Sequence, residues 1–274
     1  MARQLELAAA HIKQCLARIP SRPLFVGLQG PQGSGKTTLC SELGAVLAPT
    51  RCAVLSIDDL YLPHARLRAL AAQFPDNVLL AGRGQPGTHD VALGAGIFAT
   101  LRGSNGNVRL PAFDKSLHGG EGDRVDGPEV ALPLDVVVVE GWCTGFYPLS
   151  AEELERRNAP PEIRQINEFL HEYAAQWWST FHAFIQIAPD PPGKYDLVYK
   201  WRLEQEHWMK STNGGRGMSD DQVIKFVDRY IPGYLFFGGG VKLGLGENQR
   251  PPWIGQGLQL VIDEQRKVVG SSSF

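Results

Sequence analysis

The sequence predicts a three-layer α/β/α fold with a mainly parallel sheet, and three observations carry that prediction. Short apolar runs that read as buried strands alternate with longer segments of helical spacing. The first sixty residues read strand, loop, helix, strand, a βαβ unit whose crossover makes the two strands parallel. Farther on, Leu134-Asp-Val-Val-Val-Val-Glu140 has four consecutive valines, the β-branched run of a strand covered on both faces.

Each element follows from its residues. Between Met1 and Ile19, Leu5, Ala8, Ala9, Ile12 and Leu16 fall at helical spacing among Arg3, Glu6, Lys13 and Arg18, with no serine or threonine. That pattern predicts a first helix packed on the domain rather than an organellar transit peptide or a signal sequence. Leu24-Phe-Val-Gly-Leu-Gln29 reads as a buried strand, Thr37 to Leu47 as a helix and Cys52 to Ile57 as a second strand ended by Asp58-Asp59. Residues 82–90 and 103–127, rich in glycine and charge, read as loops, with a helix from Val91 to Leu101 between them. Residues 150–180 read as helical with a break at Ala159-Pro160-Pro161. Ala183 to Ala188 reads as a strand, Tyr195 to Met209 and Gln222 to Tyr230 as helices, and Leu258 to Asp263 as the last strand. The glycines between 238 and 246 read as turn, and the tail from Ser271 to Phe274 as frayed. Together these make one domain over 1–274, with a nucleotide-binding core at 19–150, substrate loops at 82–127 and a helical lid region at 195–234.

Composition narrows the function. Lys plus Arg number 27 against 29 Asp plus Glu, a net charge of -2, which argues against a general nucleic-acid binder. The four cysteines, at 15, 40, 52 and 143, form no CxxC pair and read as reduced thiols of a cytoplasmic protein. No apolar run reaches bilayer-spanning length, so no membrane is expected.

The chemistry begins at Gly30-Pro-Gln-Gly33-Ser-Gly35-Lys36-Thr37, which fits G-x-x-x-x-G-K-[ST] between a strand and a helix. Glycines let the backbone of Gly30, Pro31, Gln32, Gly33, Ser34 and Gly35 curl around a phosphate. The helix that opens at Lys36, Thr37 and Thr38 adds its N-terminal partial charge. Lys36 is expected to reach the β- and γ-phosphates of ATP, and Thr37 to ligate Mg²⁺. Glu140, an acid ending a buried strand, is the expected second residue at the metal. Asp58, at the end of the second strand, is the candidate base for a substrate hydroxyl, since ligands of such sheets bind beyond the carboxyl strand ends.

The remaining candidates lie on loops and a late helix. Tyr61, Arg83, His89 and Asp90 belong to segments placed to meet a substrate. An arginine on a flexible loop suits a carboxylate or phosphate. Asp114, Lys115 and Arg124 belong to a second polar loop, for which solvated surface charge is the competing reading. Lys200, Arg202 and Lys210 are lid cations able to neutralise a transferring phosphoryl group, with Arg202 the catalytic candidate. Trp201 and Trp208, seven apart, share one face and read as a core stripe.

Seven segments resemble the plant-type D-glycerate 3-kinase family, above all its fungal ATP-dependent kinase members: GLQGPQGSGKTT (27–38), LSIDDLYLPH (55–64), GRGQPGTHD (82–90), PAFDKSLHGGEGDR (111–124), VVVEGWCTGF (137–146), YKWRLEQEHWM (199–209) and GMSDDQVIKFVDRYIPGY (217–234). They run over nearly the whole chain. More remotely the chain is similar to uridine kinase, phosphoribulokinase and bacterial pantothenate kinase. The resemblance implies a P-loop NTPase fold, ATP and Mg²⁺ as cofactors, and a small hydroxy acid as partner, D-glycerate first. It also implies Asp58 as base, Glu140 as the acid of the Walker B position and Arg202 as a lid cation. The plant enzymes carry a targeting extension with no recognisable counterpart here. Other acceptors (a nucleoside, pantothenate or a sugar) remain open, as does a regulatory ATPase without metabolite substrate.

Overall fold

The computed structural model describes residues 2–212, 214–215, 217–244 and 249–274. Helix α1 (Ala2–Arg18) turns Ala8, Ala9, Ile12 and Cys15 inward, the face its spacing predicts. Strand β1 (Leu24–Gln29) runs into the phosphate loop, and α2 (Lys36–Leu47) leads back to β2 (Cys52–Ser56). Next come α3 (His64–Gln73), α4 (Val91–Thr100) and the strands β3 (Asn107–Asp114), β4 (Asp123–Ala131) and β5 (Val136–Gly141). Helices α5 (Ala151–Arg156) and α6 (Pro161–Gln176) flank the predicted proline break and precede β6 (Ala183–Pro189). The chain ends with α7 (Leu197–Thr212), α8 (Asp220–Asp228), α9 (Ile231–Phe237), α10 (Gly240–Leu243), β7 (Gly257–Ile262) and β8 (Val268–Ser273).

Six strands form one sheet in the order β2-β5-β1-β6-β7-β8, all parallel except β8. The βαβ unit is parallel as expected, but β5 lies between its two strands. The four-valine strand is therefore central, with every residue from Val136 to Gly141 buried. Alternation along β1 fills two cores. Leu24, Val26 and Leu28 face α1 and α2, while Phe25 faces an aromatic layer with Trp177, Trp178, Phe181 and Trp253. In that layer each buried indole N–H finds a carbonyl: Trp177 donates to Val91, Trp178 to Phe146 and Trp253 to Val241, at 2.8–2.9 Å. An unpaired N–H there would cost about 1–3 kcal/mol each.

Four expectations need correcting. Residues 103–127 are not loop throughout. They contain β3 and the start of β4, an antiparallel ribbon apart from the main sheet. Only Val108, Leu110 and Phe113 of β3 are buried, so a polar, glycine-bearing sequence suffices to build it. The tail is not frayed: Ser271, Ser272 and Ser273 pair with Leu260, Gln259 and Leu258, and the Phe274 carbonyl accepts from the N–H groups of Gly255 and Gly257. Main-chain bonds hold this strand, and they leave no mark on side-chain pattern. Trp208 is no core residue. Trp201 is fully buried but Trp208 is 69% exposed, because α7 is covered at Val198, Trp201 and Glu206 and not over its last turn. Of the glycines read as turn, Gly238, Gly239 and Gly240 lead from α9 into α10 and Gly244 follows α10, while Gly246 lies outside the described residues.

All four cysteines are free, and three are buried. No helix among the described residues is long and apolar enough to cross a membrane.

Candidate functional site

Sheet register gathers the predicted residues at one edge. Glu140 lies level with Leu28 of β1 and Ser56 of β2. The phosphate loop starts two residues after Leu28, and Asp58 stands two residues after Ser56. Parallel strands thus bring Glu140, the loop and Asp58 to the same carboxyl end, where open α/β sheets bind ligands.

The loop is built as the motif requires. Gly33 has φ +73°, and Gly35, which precedes α2, has φ +93°, both in the left-handed region that glycine occupies without strain. A Cβ on Gly33 would lie 2.6 Å from the Cβ of Trp201, so the first turns of α7 pack directly on the loop. The Gly33 carbonyl accepts from Arg266 Nε at 2.6 Å, and Arg266 lies over the Trp201 ring. On the other side Gln32 N–H donates to the Tyr234 hydroxyl at 3.0 Å. Ser34 is fully buried with its hydroxyl unpaired, and Thr37 and Thr38 are exposed at the mouth of α2. Lys36 Nζ donates back to the Pro31 carbonyl at 3.1 Å. Burial lowers the Lys36 pKa, against the pull of Glu140 and Asp58. Burial raises that of Glu140, which Lys36 opposes.

Asp58 is the most heavily partnered acid of the site. Tyr61 donates its hydroxyl proton to Oδ1 at 2.9 Å, and Lys115 contacts Oδ2 at 2.5 Å. Burial pushes the Asp58 carboxyl up, but the Lys115 ammonium and its hydrogen bond outweigh this and hold it at about 2. Asp59 points elsewhere, accepting from Phe113 N–H at 3.1 Å, and burial raises it to about 6. Of the adjacent pair, Asp58 therefore engages Tyr61 and Lys115 at the carboxyl end of the sheet, and Asp59 anchors the ribbon.

The two polar loops meet over this carboxylate. Arg83 donates to the carbonyls of Gly120 and Glu121, at 2.7 and 2.5 Å, and lies 5.7 Å from the centre of the Phe113 ring. His89 is 4% exposed and stacks on Tyr61 with centroids 4.5 Å apart. The Tyr173 hydroxyl accepts from the Gly87 main-chain N–H at 2.9 Å and lies 2.7 Å from His89 Nδ1. Burial lowers the His89 pKa to about 4, so the imidazole is neutral near pH 7. Nε2 itself is buried without a partner.

Three loop candidates have structural partners instead. Asp90 caps α4 through Leu93 N–H and pairs with Arg124 at 3.2 Å. Arg124 also donates to the Tyr61 carbonyl. Asp114 closes a turn on Ser116, the solvated reading. In the helical region Lys200 pairs with Glu264. Arg202 pairs with the fully buried Glu206 at 2.7 Å and lies over Phe226, one residue past the Trp201 contact with the loop.

Sequence reasoning missed Trp142, Tyr173, Tyr234 and Arg266. Trp142 donates to the Gly84 carbonyl, accepts on its own carbonyl from Gln29, and packs edge-on against Tyr230 and Tyr234. It links β1, the 82–90 loop and α9 in one buried joint. Trp142 and Tyr234 fall inside recognised segments, yet nothing in their spacing marks them as braces.

No protein-family model matches the chain. A solved structure, D-glycerate 3-kinase from Cryptococcus neoformans, is 38% identical, with a TM-score of 0.90 over 99% of both chains. "Probable ATP-dependent kinase TDA10" of Saccharomyces cerevisiae is 35% identical over 92% of this chain and 88% of its own. The chloroplastic D-glycerate 3-kinase of Arabidopsis thaliana is 36% identical over 77% of this chain, which spans 47% of that longer protein. The chain is an ATP-dependent P-loop kinase of small molecules and belongs to the family of the D-glycerate 3-kinases and their fungal kinase relatives.

Proposed function

We propose that the phosphoryl acceptor is D-glycerate and that Asp58 receives the proton of its hydroxyl. The observation that carries this reading is a partnered carboxylate, Asp58, at the same sheet edge as Lys36 and Glu140, with Lys115 on it and the Arg83 charge felt by Lys115. Two cations in one neighbourhood suit an acceptor that is itself a small anion. The names of the relatives point the same way.

In this reading the glycerate hydroxyl oxygen bonds to the γ-phosphorus, the bond from that phosphorus to the bridging oxygen of ADP breaks, and the hydroxyl proton passes to Asp58. Lys36 and the loop's main chain hold the β- and γ-phosphates. Arg202 adds positive charge beside the loop. His89 Nε2, buried without a partner among the described residues, is available to hydrogen-bond the acceptor. Thr37 and Glu140 would hold Mg²⁺, and they fit it: both offer hard oxygen, and the Glu140 carboxyl is buried with its pKa raised, which a dication would reverse. When bound, Mg²⁺ would neutralise part of the phosphate charge.

The test is coupled ADP release with Mg-ATP and D-glycerate, with Lys36→Ala as control. Glycerate-dependent release, lost in the control, is expected. Asp58→Asn should lower kcat about 10²-fold or more with the KM for ATP little changed. Release indifferent to D-glycerate would move the acceptor elsewhere, and an unchanged kcat in Asp58→Asn would remove the base.

A further inference from the structure

Resting on that reading, we propose that Lys115 is an acceptor-displaced latch: its ammonium masks Asp58 in the empty enzyme, and the carboxylate of an anionic acceptor draws it away and frees the base.

The geometry poses a problem that the latch solves. Lys115 Nζ lies 2.5 Å from Asp58 Oδ2 while Tyr61 occupies Oδ1, so both oxygens of the presumed base are engaged before any acceptor arrives. A carboxylate held so low in pKa is a poor proton acceptor, because a general base works best when its pKa approaches the operating pH. For Asp58 to act, one partner must leave. Tyr61 is buried at 2% exposure and stacked on His89, so it is fixed. The Lys115 side chain is 54% exposed and stands on the turn that follows β3, so it can move.

The other cations of the cleft cannot serve as the latch. Arg124 is bound to Asp90 and to the Tyr61 carbonyl. Lys36 bonds the Pro31 carbonyl inside the phosphate loop. Among the described residues Arg83 donates to carbonyls alone, which leave its charge uncompensated, and it repels Lys115. An incoming carboxylate is therefore drawn to the space served by Arg83 and Lys115. Settling there, it takes the ammonium that Asp58 held. The step is an exchange of ion-pair partners, with no bond made or broken. It also explains a chemical need: with the base masked until the acceptor arrives, water is not activated against ATP.

The test compares D-glycerate with glycerol, its uncharged counterpart, in the wild type, Lys115→Met and Lys115→Arg, by ADP release with and without acceptor. In Lys115→Met, kcat/KM for D-glycerate should fall about 100-fold, mainly through KM. Glycerol turnover and acceptor-independent ATP hydrolysis should each rise at least about 3-fold. Lys115→Arg should restore the preference for the anion. Parallel losses for both acceptors would overturn the latch and make Lys115 a phosphoryl-stabilising cation. Changes below about 2-fold throughout would overturn it in favour of a structural role. A wild type that uses no hydroxy acid overturns both this inference and the proposed function. A wild type that uses D-glycerate while Lys115→Met fails to release hydrolysis overturns the latch alone.

Discussion

Gly33→Ala is the sharpest perturbation of the phosphate loop. At φ +73° an alanine pays for a left-handed backbone, about 1–2 kcal/mol. Its Cβ would also stand 2.6 Å from the Trp201 Cβ and 3.0 and 3.1 Å from the Trp201 carbonyl carbon and oxygen. Two of those three atoms are main chain of α7, so no rotamer change relieves the overlap. Either the loop or the helix must shift by several tenths of an ångström, and overpacking of this kind costs about 1–3 kcal/mol. The sum, about 2–5 kcal/mol, has two outlets. If the loop moves, ATP affinity falls at least about 30-fold, at about 1.4 kcal/mol per tenfold. If the strain stays in the fold, the melting temperature drops by roughly 4–10 °C. ATP affinity by calorimetry and melting by scanning fluorimetry on the same preparation separate the outlets. A variant whose affinity stays within about 2-fold and whose melting temperature stays within about 1 °C would refute the packing of α7 on the loop.

Two further outcomes are expected. Gly96→Ala, in α4 with nothing near the added methyl, should stabilise the protein by about 0.5–1 kcal/mol in urea titration, and a loss of stability would contradict that open helix face. The Asp59 carboxyl is raised to about 6 in the folded chain, so its contribution to stability is complete below the unfolded value near 4 and is lost as pH rises through 6. The shift sets a ceiling of about 3 kcal/mol, and partial exposure reduces this to about 1. Asp59→Asn, which keeps the acceptor for Phe113 N–H, should therefore gain about 1 kcal/mol over the wild type at pH 7.5 and little at pH 4. An equal difference at both pH values would show that burial does not set the Asp59 pKa.

What the sequence makes legible is what is local. The phosphate loop can be read because Gly33, Gly35, Lys36 and Thr37 are contiguous and their neighbours spell a strand and a helix. Glu140 and Asp58 can be read because each ends an apolar run, and parallel register does the rest. The ribbon β3–β4 and the strand β8 escape notice for one shared reason. Both are held chiefly by main-chain bonds, and apolar alternation in their side chains is brief, at Val108 and Leu110 before the irregularity at Pro111, or missing, at Ser271 to Ser273. Trp208 misleads for the converse reason. Its spacing from Trp201 is helical and correct, but spacing names a face and not the length over which a neighbour covers it.

The substrate loops show a further limit, and it bears on function. Arg83, His89, Asp90, Asp114, Lys115 and Arg124 look alike as a set of polar residues on glycine-rich segments. Their partners divide them. Asp90 and Arg124 satisfy each other and a helix end, and Asp114 satisfies a turn. His89 and Lys115 instead keep something unspent: an imidazole nitrogen with no partner among the described residues, and an ammonium whose partner is the proposed base. A buried polar atom left unpaired, like a base held in an ion pair, is unfavourable for a fold that serves only its own stability. Cost of that kind, concentrated where β2, the 82–90 loop and the ribbon meet, supports the proposed acceptor site there more strongly than the residue types do. No inspection of residue types could have made that division, because it depends on which atoms already have partners.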